Sequence, residues 1–173
     1  MLAPLLRLDR RALLVLRTRG HDPRVERAVA AYSRTGEHAA CWLALGVAGA
    51  LVDSDGGRRA RWLRGLRVVV SSYALNYAVK VTVHRQRPEL PGLPPLTGTV
   101  SGLSLPSAHA TSSFAAARAF GGLLPKGMLY LAAAAFAVSR PYLGVHYPSD
   151  VLAGAALGTA VAAAWPDVPG GSA

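Results

Sequence analysis

Between Glu37 and Asp53 the chain runs through HAACWLALGVAGALV without an acid, a lysine or an arginine. Backbone that meets lipid must satisfy its own N–H and C=O groups, and for an open chain only the helix does so. This stretch would rise only about 22 Å as a helix, short of a hydrocarbon core of about 30 Å. The helix is therefore expected to extend backwards. Four more apolar segments follow the same logic. One covers about 62–85 and ends before Pro88, one covers 107–123, one covers 127–140 and stops at Pro141, and one runs from Pro148 to about 165. Pro148 suits a first helical turn, and ELPGLPPLTGTVSGLSLP between the second and third reads as loop. The expectation is an all-α polytopic membrane bundle of about five transmembrane helices, with small residues such as AGAALGTA allowing close packing.

Composition agrees with that class. Apolar residues make up 51%, charged residues 16%, and mean hydropathy is +0.28. The net charge of +10 rests on 17 arginines and 2 lysines. No aromatic-basic pattern accompanies them, which argues against nucleic acid. Anionic membrane lipids and a phosphate-bearing substrate fit the charge instead. Eight of the arginines fall in residues 1–36, where Asp9 also interrupts the apolar positions. That segment reads as an amphipathic helix on the membrane surface rather than a cleavable signal. The remainder divides into a membrane unit, 37–166, and a frayed tail, 167–173. The tryptophans, Trp42, Trp62 and Trp165, read as interface anchors. A lone Cys41 excludes an intramolecular disulfide and a cysteine metal cluster.

Against this background three polar stretches stand out: KVTVHRQRP (80–88), PSAH (106–109) and SRPYLGVHYPSD (139–150). The first closes the second helix, the next opens the third, and the last joins the fourth to the fifth. All three therefore reach the same side of the membrane. Lys80, Arg87 and Arg140 offer cations for phosphate oxygens. Ser107 adds a hydroxyl, and the N–H groups of a helix start, at Ala108, add an anion seat. His109 and His146 suit nucleophile and general-acid roles. Asp150, four residues after His146, can hold an imidazole tautomer and stabilise its charge. With 9 acidic residues in the whole chain, a magnesium or two-metal site is not expected, and no cofactor is called for.

The three stretches resemble the signature motifs of the type 2 phosphatidic acid phosphatase superfamily: Lys-x6-Arg-Pro, Pro-Ser-Gly-His and Ser-Arg-x5-His-x3-Asp. The resemblance implies a membrane phosphatase working through a phosphohistidine. His146 would be the nucleophile, Asp150 its partner and His109 the proton donor to the leaving group. Lys80, Arg87, Ser107, Arg140 and the backbone of Ala108 would hold the phosphate. One departure is Ala108, where the pattern has Gly; Ala keeps the N–H but disfavours positive φ. The flanks SRTGEHAACW (33–42), LSLPSAHATSS (103–113) and YLGVHYPSDV are similar to an actinobacterial subgroup that acts on a polyprenyl-phosphoryl-ribose 5-phosphate. Alternative readings are a phosphatase for undecaprenyl diphosphate or phosphatidic acid, and a non-catalytic binder of lipid phosphates. His84, outside the motif pattern, reads as a rim residue, and Arg118 as a cation at the far end of the third helix.

Overall fold

The computed structural model describes residues 2–166, with side chains from residue 6 onward; the expected tail, 167–173, lies outside the described residues. Seven α-helices follow one another: α1 Leu2–Thr18, α2 Pro23–Thr35, α3 Ala40–Val52, α4 Gly56–Val83, α5 Ala108–Phe120, α6 Lys126–Tyr142 and α7 Pro148–Ala164. No strand occurs among the described residues, only an isolated antiparallel bridge between Gln86 and Leu103. α5 is central and packs on α4, α6 and α7.

The basic segment is two helices, not one. α1 stops ahead of Gly20, which takes a left-handed φ of 70°, and Asp22 starts α2 by accepting from Arg24 N at 2.8 Å. The backward extension of the first apolar helix is also corrected. His38 and Ala39 adopt left-handed backbone (φ 52° and 60°), so Glu37–Ala39 forms a short 3-10 turn. Across this break α2 and the stretch Glu37–Val52 meet at 50°. No single helix among the described residues is long and apolar enough to cross a membrane, but this bent pair has the length and apolar character to do so. α4 has ample length at 28 residues, yet its first turns carry Arg58, Arg59, Arg61, Arg64 and Arg67. It begins earlier than the apolar pattern because Asp55 caps it, accepting from Arg58 N at 2.6 Å. α6 passes Pro141 by one residue, since Leu143 N and Gly144 N close the last turn on Ser139 and Pro141 carbonyls.

The tryptophan expectation fails for two of the three. Trp42 and Trp62 are buried with Phe120 and Phe136. Their indole N–H groups are satisfied internally, Trp42 by Ser113 Oγ at 2.8 Å and Trp62 by Asp53 Oδ2 at 3.2 Å. An internal partner makes burial of the polar indole edge affordable. Trp165 is half-buried.

α7 approaches α5 through glycine. A Cβ at Gly154 would lie 2.5 Å from the Ser107 carbonyl oxygen, and one at Gly158 would overlap the carbonyl of Thr111. Backbone rather than a movable side chain blocks the space, so the helices must separate to admit a methyl. Gly158→Ala is accordingly expected to lower stability by about 1–3 kcal/mol. A fall in the thermal midpoint in detergent checks this, and an unchanged midpoint contradicts it.

Candidate active site

Helix ends deliver the motif residues. Lys80 lies in the last turn of α4, Ser107 caps α5, and Ala108 and His109 open it. Ser139 and Arg140 end α6, and Asp150 sits in the first turn of α7. His146 lies on the short connection between those last two helices. Lys80, Ser107, His109, Arg140, His146 and Asp150 are all buried.

Arg87 and His146 meet directly. Arg87 Nη1 is 3.0 Å from His146 Nε2 and also donates to the Val145 carbonyl at 2.7 Å. Arg87 Nε donates to the Ser101 carbonyl at 2.7 Å. On the other edge of the imidazole, Nδ1 lies 3.5 Å from Asp150 Oδ2. The ring therefore has one nitrogen towards a cation and the other towards a carboxylate. Burial, reinforced by Arg87, Arg140 and Lys80, pushes the His146 pKa well below the ordinary imidazole value. A neutral ring keeps a lone pair for nucleophilic attack.

The other motif groups converge on the same region. Lys80 Nζ donates to the carbonyls of Leu103 (3.1 Å) and Ser104 (3.3 Å). His109 Nε2 is 2.9 Å from the Ser33 carbonyl, and Arg140 Nη1 donates to the Ser33 hydroxyl. Ser107 Oγ and Arg140 Nε are buried with no hydrogen-bond partner in the protein. A buried polar atom in that state costs about 1–3 kcal/mol. Two of them on motif residues fit a site built to receive a polar group.

The PSAH turn is braced from α4. Asn76 Nδ2 donates to the Pro106 carbonyl at 3.2 Å and to Thr111 Oγ1 at 2.8 Å. Ser107 N donates to the Asp150 carbonyl at 2.9 Å, tying α5 to α7. Ala108 is an ordinary helical residue, so the alanine in place of glycine meets no positive-φ demand. His84 is exposed and ends α4 in left-handed backbone, φ 54°; its backbone N–H donates to the Lys80 carbonyl at 3.1 Å, closing the last turn of the helix. Arg118 is exposed near the opposite end of α5.

Sequence reading missed the support of Asp150. Arg85 Nη1 donates to Asp150 Oδ1 at 2.8 Å and to Ser149 Oγ at 2.6 Å, while Nη2 donates to Asp9 Oδ2 at 2.7 Å. The guanidinium also lies 4.2 Å over the Tyr147 ring. Asp9 accepts from Ser149 N as well, at 3.0 Å. Burial alone would raise the Asp9 pKa, but the donors from Ser149 and Arg85 bring it below the ordinary carboxylate value. The one acid of α1 is thus ionised and wired through Arg85 to Asp150. Its presence in an otherwise basic helix was the available signal.

A family model described as the PAP2 superfamily matches residues 62–170, which include all three motifs. The chain belongs to the PAP2 superfamily. Among curated relatives, decaprenylphosphoryl-5-phosphoribose phosphatase of Mycobacterium tuberculosis (strain ATCC 25618 / H37Rv) is 41% identical over 139 residues, covering 80% of this chain and 77% of that protein. The protein of the same name from Mycolicibacterium smegmatis is 41% identical over 124 residues, covering 72% of this chain and 68% of that one. Two solved structures share the fold. The transmembrane PAP2-type phosphatidylglycerolphosphate phosphatase of Bacillus subtilis superposes with TM-score 0.71 at 24% identity, covering 91% of this chain and 82% of that one. LpxE of Aquifex aeolicus gives 0.77 at 20%, covering 90% and 93%. This PAP2 chain is thus all-helical, with the architecture of membrane PAP2 phosphatases.

The Asp9–Arg85–Asp150 relay generates a test. Arg85→Met is expected to lower kcat by about 10- to 100-fold, the scale seen when groups that orient a reactive centre are removed. Asp9→Asn, which leaves Arg85 in place, should cost less. Steady-state kinetics on a lipid phosphate, with thermal midpoints measured in parallel, separate lost orientation from unfolding. Wild-type kcat in Arg85→Met contradicts the relay.

Proposed function

We propose that this chain is a metal-independent membrane phosphatase that removes the terminal 5-phosphate from a polyprenyl-phosphoryl-ribose 5-phosphate. The observation that carries the reading is Arg87 and Asp150 on opposite edges of the buried His146 imidazole, with Lys80 and Arg140 nearby. Identity of 41% with relatives named decaprenylphosphoryl-5-phosphoribose phosphatase supports the substrate class.

In the proposed reaction Lys80, Arg87 and Arg140 hold the monoester dianion with the Ser107 hydroxyl and the Ala108 N–H. Ser107 is the N-cap of α5, so N–H groups of the first turn have no intrahelical acceptor and present positive dipole to the phosphate. As phosphate enters, the Arg87 guanidinium turns its hydrogen bond from His146 Nε2 to a phosphate oxygen. The freed lone pair of Nε2 attacks phosphorus, and the bond to the ribose oxygen breaks. His109, an imidazolium once the phosphate dianion is bound beside it, gives its Nε2 proton to the departing oxygen, exchanging the Ser33 carbonyl for the substrate. Asp150 stabilises the charge that the phosphorylated imidazole carries, through Nδ1–H. Water then attacks phosphorus as His109 takes a proton from it, the P–N bond breaks, and inorganic phosphate leaves.

The membrane supplies the rest of the selectivity. Residues 37–166 are proposed to form a multi-pass unit of about five helices, with 1–36 lying on the lipid surface beside the site. A site at helix ends takes a head group from the membrane plane, where the lipid tail concentrates it. The internal phosphodiester has no terminal phosphate for three cations to enclose, which leaves it uncleaved.

The expected order of specificity constants at equal surface concentration is polyprenyl-phosphoryl-ribose 5-phosphate above phosphatidic acid, and both above soluble ribose 5-phosphate. Initial rates of phosphate release by the purified protein measure this. A higher constant for phosphatidic acid would assign the site to glycerolipid phosphates instead.

A further inference from the structure

A second feature lies beside the site and is not used by the phosphate chemistry. α2 and the loop 96–100 enclose an open cleft of about 750 Å³. Arg27 and Arg34 both line it. Seven residues apart on one helix, they share a face, and both are exposed. The facing wall offers Thr97 and Thr99, and Glu37 lies at the end of the α2 wall.

Both walls run directly into the motif residues. Arg34 is adjacent to Ser33, whose hydroxyl receives Arg140 and whose carbonyl receives His109. On the loop side, Val100 lines the cleft, and the next residue, Ser101, accepts from Arg87 Nε at 2.7 Å. Leu96 N donates to the Leu143 carbonyl at 2.9 Å, fixing the loop to the segment that carries His146. Adjacent Cα atoms are about 3.8 Å apart, so the cleft begins one residue from the contacts around the phosphate cations.

We infer that this cleft is a second anion subsite, in which Arg27 and Arg34 bind the internal phosphodiester of the substrate while the terminal monoester occupies the His146 site. The inference rests on the proposed substrate class and deepens it. Charge supports the choice of anion. Two arginines against one glutamate leave a small positive excess, matched to a diester with a single charge. The Glu37 carboxylate repels a second dianion and accepts hydrogen bonds from ribose hydroxyls, and the Thr97 and Thr99 hydroxyls face the same ring. The arrangement separates a sugar phosphate on a phosphodiester-linked lipid from a lipid with one phosphate. The three cations around His146 cannot make that distinction, because both substrates present them with the same terminal group.

The test uses the full-length protein in detergent, with R27Q/R34Q beside wild type. Inhibition constants are measured for two probes during hydrolysis of farnesyl-phosphoryl-ribose 5-phosphate. The first probe is farnesyl-phosphoryl-ribose, which keeps the diester and lacks the terminal phosphate. The second is orthovanadate, which addresses the terminal site. Exposed charge pairs are individually weak, so the ratio of the diester constant to the vanadate constant is expected to rise about three- to tenfold in the double variant. A ratio equal to that of wild type overturns the subsite, and so does a vanadate constant that weakens as much as the diester constant. Failure of wild type to release phosphate from the ribosyl substrate, while phosphatidic acid is hydrolysed, overturns the proposed function itself and is read separately.

Discussion

Three cations crowd one imidazole in a nearly water-free place, and that repulsion is the constraint around which the rest of the molecule is arranged. Lys80 is 6% exposed, Arg140 3% and His146 2%. Bringing like charges out of water costs several kcal/mol per ion before any attraction is counted. Each cation is therefore supplied with oxygen. Lys80 has two carbonyls, Arg87 has those of Ser101 and Val145, and Arg140 has the Ser33 hydroxyl. These are neutral acceptors, which satisfy hydrogen bonds without cancelling charge. Asp150 is the one carboxylate among the motif residues, and Arg85 already engages it. The excess positive charge that survives can attract a phosphate dianion, and burial, reinforced by that same excess, keeps His146 unprotonated.

Holding such a cluster requires stiffness, and the fold supplies it at helix ends. α5 and α7 come close enough for a glycine on α7 to touch the α5 backbone. That contact fixes Ser107 against Asp150. Asn76, buried on α4, ties the turn before α5 to the helix after it. The loop between α4 and α5 is pinned where Ser104 N donates to the Arg85 carbonyl at 2.7 Å and Arg87 N to the Gly102 carbonyl at 3.0 Å. These bonds place Arg87 although it lies outside any helix. The N-terminal helices close the arrangement: α1 brings Asp9 to Arg85, and α2 brings Ser33 to Arg140 and His109.

The helical class and the convergence of the three motifs were legible from sequence, because apolar runs and motif spacing are local properties. The order in which helix ends meet follows from an alternating path through a bundle. What escaped was set by contacts between distant segments. Nothing near Arg85 in the chain marks it as the partner of Asp150, since Asp9 and Asp150 lie far away in sequence on either side. Ser33 sits in an ordinary helical stretch and gains its place only when α2 docks on α6. Trp42 and Trp62 were misassigned for a similar reason. Their positions near helix ends fit interface anchoring, but Ser113 and Asp53 offer hydrogen-bond partners that a linear reading does not pair with them. The break at His38 and Ala39 was also invisible, because neither residue type favours left-handed backbone and packing holds it there.

The central claim is that His146 Nε2 becomes covalently phosphorylated. The direct measurement is rapid acid-free quenching of the protein during turnover of a substrate radiolabelled in its terminal phosphate, followed by mapping of the labelled residue. The account predicts an acid-labile, base-stable phosphoramidate on His146, absent from His146→Ala, which folds but does not turn over. Label on a different residue, or wild-type turnover by His146→Ala, would contradict it.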